Sequence, residues 1–338
     1  MRCPLPPGLG GIPGIPVPTS HALTHTGTIV LCGPQRLRPT VGAIVRDLGV
    51  KGPIGLITAG WQERETEDEE LRGHLGLPAV NLRLYGRWEE VFHNDPEVFE
   101  MHRRRQDHVR QLQHLHRRRL RRAMSACRDM LQSEAEPWLI EPERADAIAA
   151  LTTIDDHHLA RVKALHLRFE AEFKPAERPS IAAQRAEIAE VLQDVDVVAI
   201  AGGHVAVLLN RLRLLALRPL LATRTVVAWS AGAMAMTDRV LLFHDSPPQG
   251  AGDAEMLDHG LGLAPAVVVL PHAHRRLRLD DRGRVGLMAR RVRPAQCLAL
   301  ADGSYVIAEQ GRITAGSEGV RAFADDGALV ALPAGAFQ

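Results

Sequence analysis

With 338 residues, 46% of them apolar, and a net charge of +1, the chain can form one large domain or two ordinary ones around a sizeable core. Near-neutral charge gives no global attraction to nucleic acid or acidic membranes, and no run of about 18 or more apolar residues offers a membrane span. Cys3, Cys32, Cys127 and Cys297 are scattered without a CxxC pair, so neither a zinc site nor a disulfide framework is indicated and a reducing cytoplasm fits.

Residues 1–26 are punctuated by six prolines and several glycines. They lack the unbroken apolar stretch of a signal peptide and read as a flexible arm. Order begins at Thr28, with an apolar strand closed by Gly33 and Pro34. A helix over 39–48, a strand over 53–60, an acidic helix over 65–74 and a third strand over 80–85 follow. Strands alternating with helices predict a mostly parallel sheet with helices on both faces. The α/β domain therefore spans 27–86 and resumes over 180–338.

Between them, residues 87–179 read as an all-α insertion. Val109, Leu112, Leu120, Met124, Cys127 and Leu131 recur at helical spacing within 97–131, and Val162, Leu165, Phe169 and Phe173 do so within 154–173. Two such helices pack as a hairpin, which would shape access to the site or join a second copy of the chain. Residues 103–128 hold ten arginines and one acid, Asp107. These arginines read as the solvated side of the hairpin; the sharper alternative is an acidic polymer as partner. His102, His108, His114 and His116 share this helix but lack HExxH spacing, so no metal is assigned to them.

The α/β pattern resumes with a helix from Ile181 to Leu192, for which Ser180 is the expected N-cap. An apolar strand then runs into Gly202-Gly203-His204, and a leucine-rich helix occupies 205–217. A strand–Gly–Gly–helix turn lets backbone amides approach a phosphate or an oxyanion. Next comes Thr225-Val226-Val227-Ala228-Trp229-Ser230-Ala231-Gly232-Ala233-Met234. A serine pinned between a strand and a helix among small residues is how α/β enzymes hold an oxygen nucleophile. Further on, Cys297 to Thr314 suggests a closing β-meander, with turns at Asp302-Gly303 and Gln310-Gly311.

A serine nucleophile needs a base and a carboxylate to orient that base. Asp245 lies in a proline-rich loop and His272 follows an apolar run, so the order Ser, Asp, His matches that of α/β hydrolases. His244, His259 and His274 compete for the base, and Asp238, Asp253 and Glu255 for the acid. Order and position alone leave the choice open.

The segment from about 195 to 310 resembles the aspartyl dipeptidase and cyanophycinase family of serine peptidases, relatives of the class I glutamine amidotransferases. The resemblance rests on Ala201-Gly202-Gly203, on Trp229-Ser230-Ala231-Gly232-Ala233, on His244-Asp245-Ser246-Pro247 and on Leu270-Pro271-His272. It implies Ser230 as nucleophile, His272 as base and Asp245, 15 positions after the serine, as its orienter. The amides of Ala231 and of Gly203 or Gly202 would form the oxyanion hole. Arg276 would hold a substrate carboxylate. The family usually has asparagine where this chain has His204, a difference that touches the substrate pocket. The implied activity is cofactor-free hydrolysis of a peptide or isopeptide bond, with a small or acidic peptide as substrate. A non-catalytic binding scaffold and an acyl transferase using the same triad are the alternatives.

Overall fold

The computed structural model describes residues 25–245 and 252–332. Nearly all of the N-terminal arm expected over 1–26 therefore lies outside the described residues, as do Ser246 to Pro248 of the proline-rich loop.

The chain begins with β1 (Thr28–Cys32), α1 (Val41–Asp47), β2 (Ile54–Ile57), α2 (Glu69–Leu75) and β3 (Ala79–Asn81). It then turns helical through α3 (Leu84–Asn94), α4 (Pro96–Gln132), α5 (Pro137–Phe173) and α6 (Pro179–Gln193). The alternation resumes with β4 (Val197–Ile200), α7 (Val205–Leu214), α8 (Leu217–Leu221), β5 (Thr225–Trp229) and α9 (Ala231–Met236). β6 (Arg239–Leu242), β7 (Glu255–His259), β8 (Val267–Pro271), α10 (Ala273–Arg276) and α11 (Arg282–Arg291) follow. The described chain closes with β9 (Gln296–Leu300), β10 (Tyr305–Glu309), β11 (Arg312–Gly316), β12 (Val320–Phe323) and β13 (Leu329–Ala331).

The main sheet has seven strands in the order β11-β10-β1-β5-β4-β2-β3. β1, β5, β4, β2 and β3 pair in parallel, and β10 joins β1 antiparallel. Alternate residues of each parallel strand enter different cores, as the two-residue period of a strand requires. Ile29, Leu31, Val226 and Ala228 pack on one face with α6, α7 and α9. Val30, Cys32, Val227 and Trp229 pack on the other with α1 and α2. This is the mixed α/β sheet with helices on both faces that the sequence pattern predicts.

Several expectations change. The third strand is only Ala79–Asn81, because Arg83 takes a left-handed conformation and α3 starts at once. Glu65, expected to open an acidic helix, instead accepts the Tyr85 and Gly86 amides at 2.9 Å each and so ties down the start of α3. Ser180 is not the N-cap of α6, since Arg178 is; the Ser180 hydroxyl donates to Asp95 at 2.9 Å. The helix expected over 205–217 is broken by left-handed Ala216 into α7 and α8. Nor do the C-terminal strands form one meander. β9 pairs in parallel with β8 and antiparallel with β12 in a separate four-stranded sheet, whereas β10 and β11 extend the main sheet.

α4 and α5 are 37 residues each, about 55 Å long at 1.5 Å per residue. α5 starts well before the expected 154, with Pro137 at its first turn, where a missing amide costs nothing. Distal contacts among Leu120, Met124, Cys127, Ile148, Leu151 and Leu287 form a core separate from those of the sheet. The arginine run is only partly solvated. Arg105 is buried with its guanidinium 4.3 Å from the centre of the Phe169 ring. Arg117 pairs with Glu255 at 2.7 Å, and Arg128 with Asp253. His102 and His116 point inward and are buried, while His108 and His114 are exposed, so the four histidines do not converge. Among the described residues, no helix is long and apolar enough to cross a membrane.

Candidate active site

β5 ends on Ser230, which is held at φ 52° and ψ −120°. That is a backbone region that costs a non-glycine residue strain and persists only where the surroundings enforce it. The Ser230 amide is tied to the carbonyl of Cys32, at the end of neighbouring β1, at 3.1 Å. Two residues on, a Cβ at Gly232 would stand 2.4 Å from the carbonyl oxygen of Ile200, so only glycine lets the start of α9 sit this close to β4. β4 in turn is followed, after Ala201, by Gly202 and Gly203. Gly203 has φ +110°, and a Cβ there would lie 2.3 Å from the Gly60 oxygen. The paired glycines thus serve a backbone-to-backbone approach beside the serine.

Ser230 opens into a cleft of about 790 Å³ at the carboxyl ends of the parallel strands. Pro34 and Gln35 beyond β1, Gly60 and Trp61 beyond β2, Gly202 and Gly203 beyond β4, and Pro271 and His272 at the end of β8 all line it. The carboxyl end of the strands is where open α/β sheets carry ligand sites. Ser230, Ala231, Gly202, Gly203, His272 and Arg276 therefore share one cleft. Among the described residues no hydrogen bond joins Ser230 to His272; such bonds are commonly long in unliganded enzymes.

His272 is left-handed too, at φ 60° and ψ 20°, and heads the one-turn helix α10. Burial, followed by the charge of Arg276, pushes its pKa below the ordinary histidine value of 6.5; Asp302 acts in the opposite sense, and Arg275 and His274 lower it further. Burial and the neighbouring cations thus favour the neutral imidazole, the form that can take a proton.

The structure and the sequence reading part company over the acid. Asp245 is 8% exposed, and both of its carboxylate oxygens are occupied away from His272. Oδ2 accepts the Arg278 amide at 2.7 Å, and Oδ1 accepts from the Arg284 guanidinium. The carboxylate that does act on His272 is Asp302. β8 and β9 run parallel with Pro271 opposite Leu300, so the loops that follow them start side by side, about 5 Å apart. One loop begins with His272, the other with Ala301-Asp302. Asp302 Oδ2 accepts from Arg275 at 3.1 Å, and Oδ1 is buried without a hydrogen-bond partner. The sequence reading treats Asp302 only as part of a turn. The signal that would have found it, the pairing of β8 with β9, is not local.

His204 does not line the cleft. Its Nδ1 accepts the Val207 amide at 3.3 Å and caps α7. Of the competing acids, Glu255 pairs with Arg117 and Asp253 with Arg128. Asp238 lies 3.9 Å from His259. Arg36, not singled out by sequence, joins Arg276 in the cleft. Among the described residues neither has a carboxylate partner. Glu67 pairs with Arg64 at 2.6 Å, and Glu70 lies 3.6 Å from His74. Arg36 and Arg276 are thus cations of the cleft available to a ligand.

No curated protein matches the chain by sequence. Among solved structures it is similar to a peptidase from an acI-B1 actinobacterium, at 11% identity over 89% of this chain and 93% of that one, with a TM-score of 0.44. A peptidase E candidate from Listeria monocytogenes EGD-e is similar at 10% identity over 88% of this chain and 98% of that one, with a TM-score of 0.40. The model of peptidase family S51 matches residues 147–316, a stretch that holds the strained serine, both glycines, His272 and Asp302. With that match running through half of the sequence, the chain belongs to peptidase family S51, a family of serine peptidases.

Proposed function

We propose that the chain hydrolyses a peptide or isopeptide bond next to an acidic residue, with Ser230 as nucleophile, His272 as general base and Asp302 as the carboxylate that orients the imidazole. In acylation, His272 takes the Ser230 proton as Oγ attacks the carbonyl carbon, then passes it to the leaving amine. In deacylation, His272 takes a proton from water as water attacks the acyl-enzyme, and returns it to Ser230. The Ala231 amide, in the first helical turn where amides have no intrahelical partner, and the Gly203 or Gly202 amide would hold the oxyanion. These steps need no other group. The observation that carries the reading is the strained Ser230 in one cleft with His272. The acidic preference rests on Arg36 and Arg276, cations in that cleft without a carboxylate partner.

The test is to label the protein with a fluorophosphonate and to assay it on aspartyl and alanyl dipeptides. Wild type is expected to be labelled on Ser230 and to favour the aspartyl substrates, while Ser230→Ala stays folded and loses both labelling and turnover. Loss of a triad nucleophile lowers the rate by several orders of magnitude. Turnover retained by folded Ser230→Ala would sink the reading. No labelling of wild type would favour a non-catalytic scaffold, and a transfer product formed only with added amine would favour acyl transfer.

A further inference from the structure

We infer that Asp245, gripped by Arg284, is a positioning residue that holds Arg276 in the cleft to receive a substrate carboxylate. The inference deepens the peptidase reading above and rests on it.

Arg276 is the last residue of α10, a helix of four residues. A single turn has too few internal bonds to hold its own geometry, and the next residue, Leu277, is already extended at φ −121° and ψ 146°. The position of Arg276 must therefore be set from outside the helix. Asp245 does this on both sides of Leu277. Its amide donates to the Arg276 carbonyl at 2.7 Å, and its Oδ2 accepts the Arg278 amide at 2.7 Å. The other carboxylate oxygen is taken by the Arg284 guanidinium, which also donates to the Gly252 carbonyl at 3.2 Å. Arg284 lies on α11, so the clamp fastens the cleft-side segment to a helix of ordinary length. Two residues before Asp245, buried Phe243 presents its ring 5.8 Å from the Arg276 guanidinium carbon. One stretch after β6 thus supports both ends of Arg276: Phe243 its charged tip, Asp245 its backbone. This gives a buried acid with no contact to the base a role that its own hydrogen bonds define.

Two readouts separate this role from that of a base orienter. The rate of Ser230 labelling by a fluorophosphonate reads the triad and needs no carboxylate anchor. Protection against labelling by N-acetyl-aspartate, with N-acetyl-alaninamide as neutral control, reads the anchor. Asp245→Ala and Arg284→Gln are expected to label within about threefold of wild type. Both should weaken acidic protection about tenfold or more, the scale of one charge-assisted hydrogen bond, and match Arg276→Ala. Combining Asp245→Ala with Arg276→Ala should add little, since both act on one contact. Circular dichroism checks folding, and if Asp245→Ala does not fold, Arg284→Gln decides alone. Labelling abolished in folded Asp245→Ala, as in His272→Ala, would make Asp245 the orienter and overturn the inference. So would acidic protection that Arg276→Ala loses but both clamp variants keep. Labelled wild type without acidic protection would sink the acidic preference together with the inference and leave the serine-peptidase reading standing.

Discussion

Two side chains carry non-glycine strain at the cleft, Ser230 and His272, and the electrostatics of the second make a prediction about pH. Hydrolysis needs neutral His272, and burial and Arg276 lower its pKa from 6.5 while Asp302 raises it. The acid limb of Ser230 labelling should therefore have its midpoint below that of an ordinary histidine. Arg276→Gln removes a lowering charge and should move the midpoint up. Asp302→Asn removes the raising charge, so it should move the midpoint down and slow turnover by roughly two to four orders of magnitude. Labelling rates measured across the pH range check both signs. A midpoint unmoved by Asp302→Asn, with turnover intact, would remove Asp302 from the site.

The element least like a sheet enzyme is the α4–α5 hairpin. Its distal half packs with Leu287 of α11 in an apolar core apart from those of the sheet, so a cavity there should act on the hairpin and not on the chemistry. Leu151, fully buried in that core, is the place to cut. Leu151→Ala should cost about 2–5 kcal/mol of stability and leave the labelling rate of Ser230 close to wild type at a temperature where the variant is folded. Chemical denaturation and labelling of one sample check this. A collapse of labelling in the folded variant would mean that the hairpin core is coupled to the cleft. The hairpin meets the rest of the molecule through apolar residues such as Val98, Met101, Leu159 and Phe169 and also through buried polar groups. Asp155 is fully buried and bound by Arg291 at 2.8 Å, and Gln113 reaches the Met256 carbonyl at 3.2 Å, while between the two helices His116 and His158 stack with centroids 4.2 Å apart. The sequence reading begins the second helix far too late because Pro142 sits inside α5, where a proline ordinarily ends a helix.

For the whole molecule, buried histidines set the response to acid. His102 is pushed down to about 3 by burial and then by Arg105 and Arg211. His116 is pushed down to about 3 by burial first, then by His158 and Arg291. The folded pKa lies below the unfolded one, so the unfolded chain takes up protons first. Stability from these groups is full above about 6.5 and is lost as pH falls toward 3. Asp155, Glu65 and Glu170, whose pKa burial raises, act in the opposite sense. The thermal midpoint should fall between pH 7.5 and 4.5, and His102→Phe, which keeps the apolar contacts with Trp88 and Phe92, should flatten that fall. An unchanged slope in the variant would mean that His102 does not titrate on unfolding.

What the sequence determined by itself is what short stretches of chain encode. Alternating apolar strands and helices specify the sheet, because a strand buried on both faces must be apolar along its length. The string Ala228-Trp229-Ser230-Ala231-Gly232 marks the strained turn, because only small neighbours fit between a strand end and a helix start. What tertiary structure alone decided is which charges meet. Asp302 stands beside His272 because β9 pairs with β8, Asp245 is turned to Arg278 and Arg284 by α11, and Arg36 shares a cleft with Arg276 across the sheet. Strand register and ion pairs between distant segments depend on how finished elements pack, and an acid's sequence position holds no record of which base it will face.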